Sequence, residues 1–83
     1  MFHKIKNVVP YDDMILIVEF MSGEKKQYDV KLLMNKWEVF KDLKNNNAFK
    51  YVKVDVGGYG VFWNEDIDLS CNELWDNSTE LRN

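Results

Sequence analysis

The stretch from Met14 to Phe20, MILIVEF, constrains this chain more than any other. It is short, rich in β-branched and aromatic residues and bounded by turn residues, which together read as a strand. Successive strand side chains point to opposite faces, so Met14, Leu16, Val18 and Phe20 share one face and Ile15, Ile17 and Glu19 the other. Both faces are largely apolar, which places this strand in the interior of a sheet.

The flanks supply its neighbours. Upstream, Ile5, Val8 and Val9 make a strand of HKIKNVV, and Pro10 is expected to end it, because proline lacks an N–H and restricts the residue before it. YDD turns the chain. Downstream, a turn centred on Ser22-Gly23 leads into KKQYDV as a third strand. Asp29 suits a helix N-cap, since its carboxylate can accept an orphan N–H of the first turn. In VKLLMNKWEVFKDLK, Leu32, Val39 and Leu43 recur at helical spacing, as do Leu33, Trp37 and Phe40. Asn35-Lys36 offers a break between a short turn of helix and a longer one, and the asparagines at 45–47 end it.

The glycines of VDVGGYGVFW, residues 54–63, raise the question of a phosphate-binding loop. Such a loop needs a helix after it, so that the helix N-terminus meets the anion. Here Val52, Val54 and Val56 alternate with Tyr51, Lys53 and Asp55 before the glycines, and Tyr59, Val61 and Trp63 alternate with Gly60 and Phe62 after them. Two period-2 runs joined by Gly57-Gly58 predict a hairpin with a tight primed turn, between strands near 50–56 and 59–63. Gly60, inside the second strand, marks a bulge or a close approach. SCNELWDNS then begins with a serine N-cap and suits one or two turns of helix. The pattern predicts a single α+β domain over residues 1–83, a small antiparallel sheet of about five strands with one main helix packed on one face. The expected core between them is Leu16, Val18, Leu32, Phe40, Leu43, Val54 and Phe62.

Composition narrows the class. Hydrophobic residues make up 46% and aromatics 14% of 83 residues, enough for a folded core and against intrinsic disorder. The lone Cys71 forbids an internal disulfide, the N-terminal segment lacks the pattern of an export signal, and no run approaches the roughly 18 apolar residues of a membrane span. A cytoplasmic protein is expected. The net charge of -3 is unevenly placed: residues 1–53 carry ten lysines against seven acids, residues 54–83 only Arg82 against seven acids. An acidic whole with scattered lysines argues against a nucleic-acid binder.

Asn64, Asp66 and Asp68 match the first ligand positions of a calcium loop, but Leu69 stands where glycine is needed and Trp75 where the bidentate Glu belongs. Asp66 and Asp68 are expected to bond loop N–H groups or face water, with Ile67 and Leu69 packed inward. His3 and Cys71 lack a visible orienting group or oxyanion donor for nucleophilic catalysis, and they are too few for zinc. Trp37, Trp63 and Trp75 could stack bases, yet at strand and helix spacing all three are expected in the core.

ILIVEFMSGEKKQYDV, VFKDLKNNNAFKYVKV and GVFWNEDIDLSCNELW together resemble the bacterial family called domain of unknown function 2442, over most of residues 5–75. The resembling pattern is an apolar strand, then F-x-x-G-E, a strand ending in Asp, V-F-x-x-L, F-x-x-V, and W-x-x-x-x-D-L with a nearby L-[YW]. Trp37 departs from it, where relatives usually have something smaller. The resemblance implies an α+β domain in a cytoplasmic bacterial protein, often encoded beside another small protein, an arrangement suggestive of toxin–antitoxin pairs. Some longer relatives append a helix-turn-helix domain; none is expected here. The resemblance supplies no catalytic residues.

The reading is a non-enzymatic protein-binding module, the antitoxin-like member of a pair, with no cofactor, metal or membrane. Its partner is the small protein encoded next to it or a second copy of the chain. Ile15 and Ile17 put apolar surface on the face opposite Leu16 and Val18, with Leu74 and Trp75 expected to cover part of it. Asp66 and Asp76 add acidic charge favouring a basic partner. The partner-binding residues are thus Ile15, Ile17, Asp66, Asp76 and Trp75. The alternative is a nucleic-acid-binding or transcription-regulatory accessory protein using Lys4, Lys6, Lys25 and Lys26. An enzyme centred on Asp66, Asp68 and Cys71 ranks last.

Overall fold

A computed structural model describes residues 3–81 of the chain. Arg82, the one basic residue of the acidic C-terminal portion, lies outside them. Strand β1 (Ile5–Tyr11) pairs antiparallel with β2 (Ile15–Phe20), which pairs antiparallel with β3 (Lys25–Asp29). The two-faced apolar strand is therefore central, as its pattern predicts. Its register sets Val18 between Val8 and Lys26, and Leu16 between Pro10 and Tyr28. β1 continues through Pro10 to Tyr11, one residue beyond the expected end. It is the edge of the sheet, where a missing N–H on the free side removes no ladder bond.

The turn between β1 and β2 holds Asp13 and Met14 at positive φ, yet Met14 still buries its side chain. Between β2 and β3, Gly23 takes a φ of 94° and its N–H donates to the Phe20 carbonyl at 2.8 Å. β3 ends at Asp29, whose carboxylate accepts the Lys31 N–H at 3.0 Å and caps a 3-10 turn over Val30–Leu33. Lys31 Nζ bridges Asp29 Oδ1 at 3.0 Å and Asp13 Oδ2 at 3.1 Å. Desolvation works against that ammonium, but the bonds and charges of Asp29 and Asp13 together outweigh it and raise its pKa.

The break in the helical segment is longer than Asn35-Lys36. Residues 34–38 form turns, and helix α1 runs only from Val39 to Asn45. It ends as the asparagines predict. Asn47 sits at φ 52°, the Ala48 N–H reaches back to the Leu43 carbonyl at 3.0 Å, and the Asn47 N–H to that of Lys44 at 3.3 Å. This is a left-handed C-terminal cap that satisfies otherwise orphaned carbonyls.

The glycines do turn a hairpin. β4 (Lys53–Val54) pairs antiparallel with β5 (Gly60–Asn64), and no helix follows. The turn itself differs from the expected two-residue form. β4 is two residues long, Phe49–Tyr51 is a 3-10 turn, and Val56 is exposed in a second 3-10 turn spanning Val56–Gly58. The Asp55 carboxylate caps that turn through the Val56 N–H at 2.8 Å. Gly57 and Gly58 both take positive φ, and a Cβ on Gly58 would lie 2.6 Å from the Ile5 carbonyl oxygen. The glycine thus lets the loop rest directly on the backbone of β1. A Cβ on Gly60 would stand 2.4 Å from the Leu69 carbonyl oxygen, the close approach expected at that position.

β6 (Ile67–Ser70) pairs antiparallel with β5 and was not anticipated as a strand, although Ile67 and Leu69 turn inward as expected. The turn between them is built by Asn64, whose Oδ1 accepts the N–H groups of Asp66 at 2.8 Å and Ile67 at 3.0 Å. Ser70 Oγ accepts the Glu73 N–H at 3.1 Å and caps helix α2 (Cys71–Asn77). β7 (Thr79–Glu80) then adds to the free edge of β3.

The α+β class with antiparallel pairing holds. Among the described residues the strands divide into two sheets, ordered β1-β2-β3-β7 and β4-β5-β6, instead of one. Between them lies a single apolar cluster, with Leu16, Val18, Phe20 and Val30 from the first sheet side and Val61, Ile67 and Leu69 from the second. The helices close it with Phe40, Leu43, Cys71 and Leu74. Val54 and Phe62 are partly buried. Leu32 is the exception among the expected core residues, at 66% exposure, because the short 3-10 turn gives way before a helical stripe can carry it inward.

Candidate functional site

Two uncovered apolar surfaces stand out. The first is the outer face of the four-stranded sheet. The antiparallel register puts Tyr11 beside Ile15 and Val9 beside Ile17, all on the face away from Leu16 and Val18. Both helices turn their buried residues to the opposite, core side. Ile15 and Ile17 are half-buried, Val9 and Tyr11 more exposed, and together with Lys25, Gln27 and Leu81 the isoleucines line a shallow hollow of about 470 Å3.

The expected cover of this face by Leu74 and Trp75 is not formed. Leu74 is wholly buried in the core. Trp75 packs edge-on against Phe20, whose side chain belongs to the core face. The imidazole of His3 stacks on Trp75 at 3.8 Å, and Lys26 Nζ lies 4.0 Å from its ring centroid while donating to the Trp75 carbonyl at 3.0 Å. Trp75 is thereby enclosed by its own chain. The placement of α2 explains this: the helix follows directly on β6, and its buried residues, Cys71 and Leu74, belong to the core cluster between the sheets.

The second surface is a groove of about 660 Å3 between the segment after β3 and the β6–α2 edge. One wall carries Leu32, Trp37 and Val39, which are 66%, 60% and 41% exposed. The other carries Asp66, Asp68 and Glu73. Buried Tyr28, Phe40 and Leu69 line its deeper part. Tyr28 donates its hydroxyl to Glu73 Oε2 at 2.8 Å, and Asn77 Nδ2 donates to the same oxygen at 2.9 Å. Burial, then the bond and charge of Glu73, push the Tyr28 phenol well above its ordinary pKa.

Trp37 therefore departs from its expected place in the core. The turns at 34–38 interrupt the helical stripe that would have carried it inward. Trp63 is partly buried, as expected, with its indole N–H donating to the Phe49 carbonyl at 2.9 Å and its ring edge-on to Phe40.

Residues 5–80, nearly the whole chain, match the sequence model of a family described as "Protein of unknown function (DUF2442)". The chain belongs to the DUF2442 family. No curated protein and no solved structure matches it.

In this DUF2442 chain the five proposed partner-binding residues do not share one surface. Ile15 and Ile17 lie on the outer sheet face, Asp66 on the groove wall, Trp75 against Phe20, and Asp76 exposed on α2. The lysines of the nucleic-acid alternative are also divided. Lys4 sits over the Tyr59 ring at 5.3 Å, Lys26 over Trp75, and Lys25 at the sheet-face hollow. His3 is held against Trp75, while Cys71 is buried in the core. Among the described residues no cluster of three or more His, Cys, Asp or Glu side chains is placed to hold a metal ion. No helix among them is long and apolar enough to cross a membrane.

Sequence reasoning missed the groove, because Leu32, Trp37 and Val39 were assigned to helical stripes. The available signal was the low helix propensity of Asn35, which marked the Asn35-Lys36 break but not the length of the turns that follow it.

Proposed function

We propose that this DUF2442 chain is a non-enzymatic protein-binding module, the antitoxin-like member of a two-protein pair in the bacterial cytoplasm. The observation that carries the reading is the outer face of the four-stranded sheet. Tyr11 beside Ile15 and Val9 beside Ile17 make a contiguous apolar strip, with Tyr11 and Val9 exposed and the two isoleucines half-buried. Leaving such surface in water forgoes about 25 cal/mol per Å2, and contiguous apolar patches mark interaction sites. The partner is a different protein that lays an apolar face on the strip. The lysines committed to aromatic faces at Tyr59 and Trp75 give no support to a nucleic-acid role.

The test is co-expression with the small protein encoded beside it, followed by light scattering of the purified material. A stable hetero-complex, together with relief of any growth defect that the neighbour causes alone, is the expected result. Two separate monomers, or a chain that associates only with itself, would exclude the reading.

A further inference from the structure

We propose that the groove between Trp37 and Asp66 is a second docking site, which takes a partner segment presenting a lysine or arginine next to an apolar side chain. The proposal rests on the protein-binding reading and adds to it the chemistry of the bound segment.

The groove has two unlike walls. Leu32, Trp37 and Val39 form an apolar wall that is largely exposed, and Asp66 and Asp68 stand on the wall across from it. Charge complementarity selects the occupant. The lining holds Asp29, Asp66, Asp68 and Glu73 against one cation, Lys36. Asp29 is already paired with Lys31, and Glu73 accepts from Tyr28 and Asn77. Asp66 and Asp68 have no side-chain partner among the described residues, so their carboxylates remain for an incoming cation. An arginine fork or lysine ammonium suits them, and its aliphatic stem can lie along Trp37, where the ring face also attracts the charge.

The shape argues for a chain segment. A small molecule is ordinarily enclosed over most of its surface. Here the apolar wall is open, so a ligand would be covered on one side, as a docked peptide is. A second copy of this chain is the weaker occupant. Its basic surface entering an acidic groove elsewhere on the molecule would be a head-to-tail contact, which propagates unless the rotation closes.

The experiment is phage display of short random peptides on the full chain, followed by fluorescence anisotropy of the enriched sequences. The expected peptides carry Lys or Arg adjacent to an aliphatic or aromatic residue. Combining Asp66→Asn with Asp68→Asn should weaken their binding by about tenfold or more, and so should Trp37→Ser. Asp66→Asn spares the turn, because the Asp66 backbone N–H, not its carboxylate, bonds Asn64. Ile17→Lys, on the other surface, should leave peptide affinity unchanged. No enrichment, an acidic or uncharged consensus, or binding indifferent to the groove variants would overturn the proposal. Self-association that disappears with the two Asn substitutions would overturn it in favour of a second copy. The groove fails separately from the sheet-face reading, which stands or falls on the hetero-complex and on Ile17.

Discussion

The Tyr28 hydroxyl donates to Glu73 Oε2 at 2.8 Å and so ties β3 of the four-stranded sheet to α2, which packs on the three-stranded one. This bond joins parts of the chain 45 residues apart at the inner end of the groove.

Tyr28→Phe should cost about 1–2 kcal/mol at neutral pH, the range for a hydrogen bond to a charged group with some compensation by Asn77 and water. It should also change the alkaline limb of stability. The phenol's pKa is higher in the folded chain than in the unfolded one, so folding holds this proton more tightly. Its contribution is therefore complete below about pH 10, the ordinary tyrosine value, and is lost as pH rises from there through the folded pKa. Urea midpoints measured across that window should fall more steeply for the native chain than for Tyr28→Phe.

Phe40 and Leu32 make a paired prediction, because helical spacing in the segment after β3 placed both in the expected core. Phe40 is buried and edge-on to Trp63, so Phe40→Ala should cost about 3–5 kcal/mol in urea unfolding. Leu32 is exposed, and Leu32→Ala should lie within about 0.5 kcal/mol of the native chain. Equal losses at the two positions would return Leu32 to the core.

The glycines separate backbone strain from steric contact. Gly23 and Gly58 share positive φ, but a Cβ on Gly23 meets nothing within 4 Å, whereas one on Gly58 meets the Ile5 carbonyl oxygen at 2.6 Å. Gly23→Ala should cost about 1–2 kcal/mol from the left-handed conformation alone. Gly58→Ala should cost about 3 kcal/mol or more, because either the loop or β1 must shift. Thermal unfolding of the two variants gives the order directly.

Much of the fold was legible where one local cause dominates. The apolar run of β2 located the central strand, and Asp29 and Ser70 located their caps through the N–H groups they accept. Asn47 closed α1 because asparagine tolerates the left-handed region. The glycine pair marked a turn. What escaped depended on tertiary placement. Pro10 stays in β1 because that strand is an edge, which only the sheet order reveals. β6 hid behind its acids: Asp66 drew attention to metal chemistry, while the Asn64 turn and the inward Ile67 and Leu69 made a hairpin. The outer strip was half-visible, since alternation identified Ile15 and Ile17, but their neighbours Val9 and Tyr11 required the register. The groove needed residues from 28 to 77 to meet, a juxtaposition that no local pattern carries.

The most direct test of the protein-binding account is the effect of Ile17→Lys on association with the proposed partner protein, read by binding kinetics with circular dichroism as the folding control. Ile17 is half-buried on the outer sheet face, so the lysine ammonium can reach water in the free monomer but not beneath a docked partner. The account predicts a native-like spectrum and an affinity reduced by about tenfold or more, mainly through faster dissociation. Unchanged affinity, or a variant that unfolds as a monomer, would contradict it.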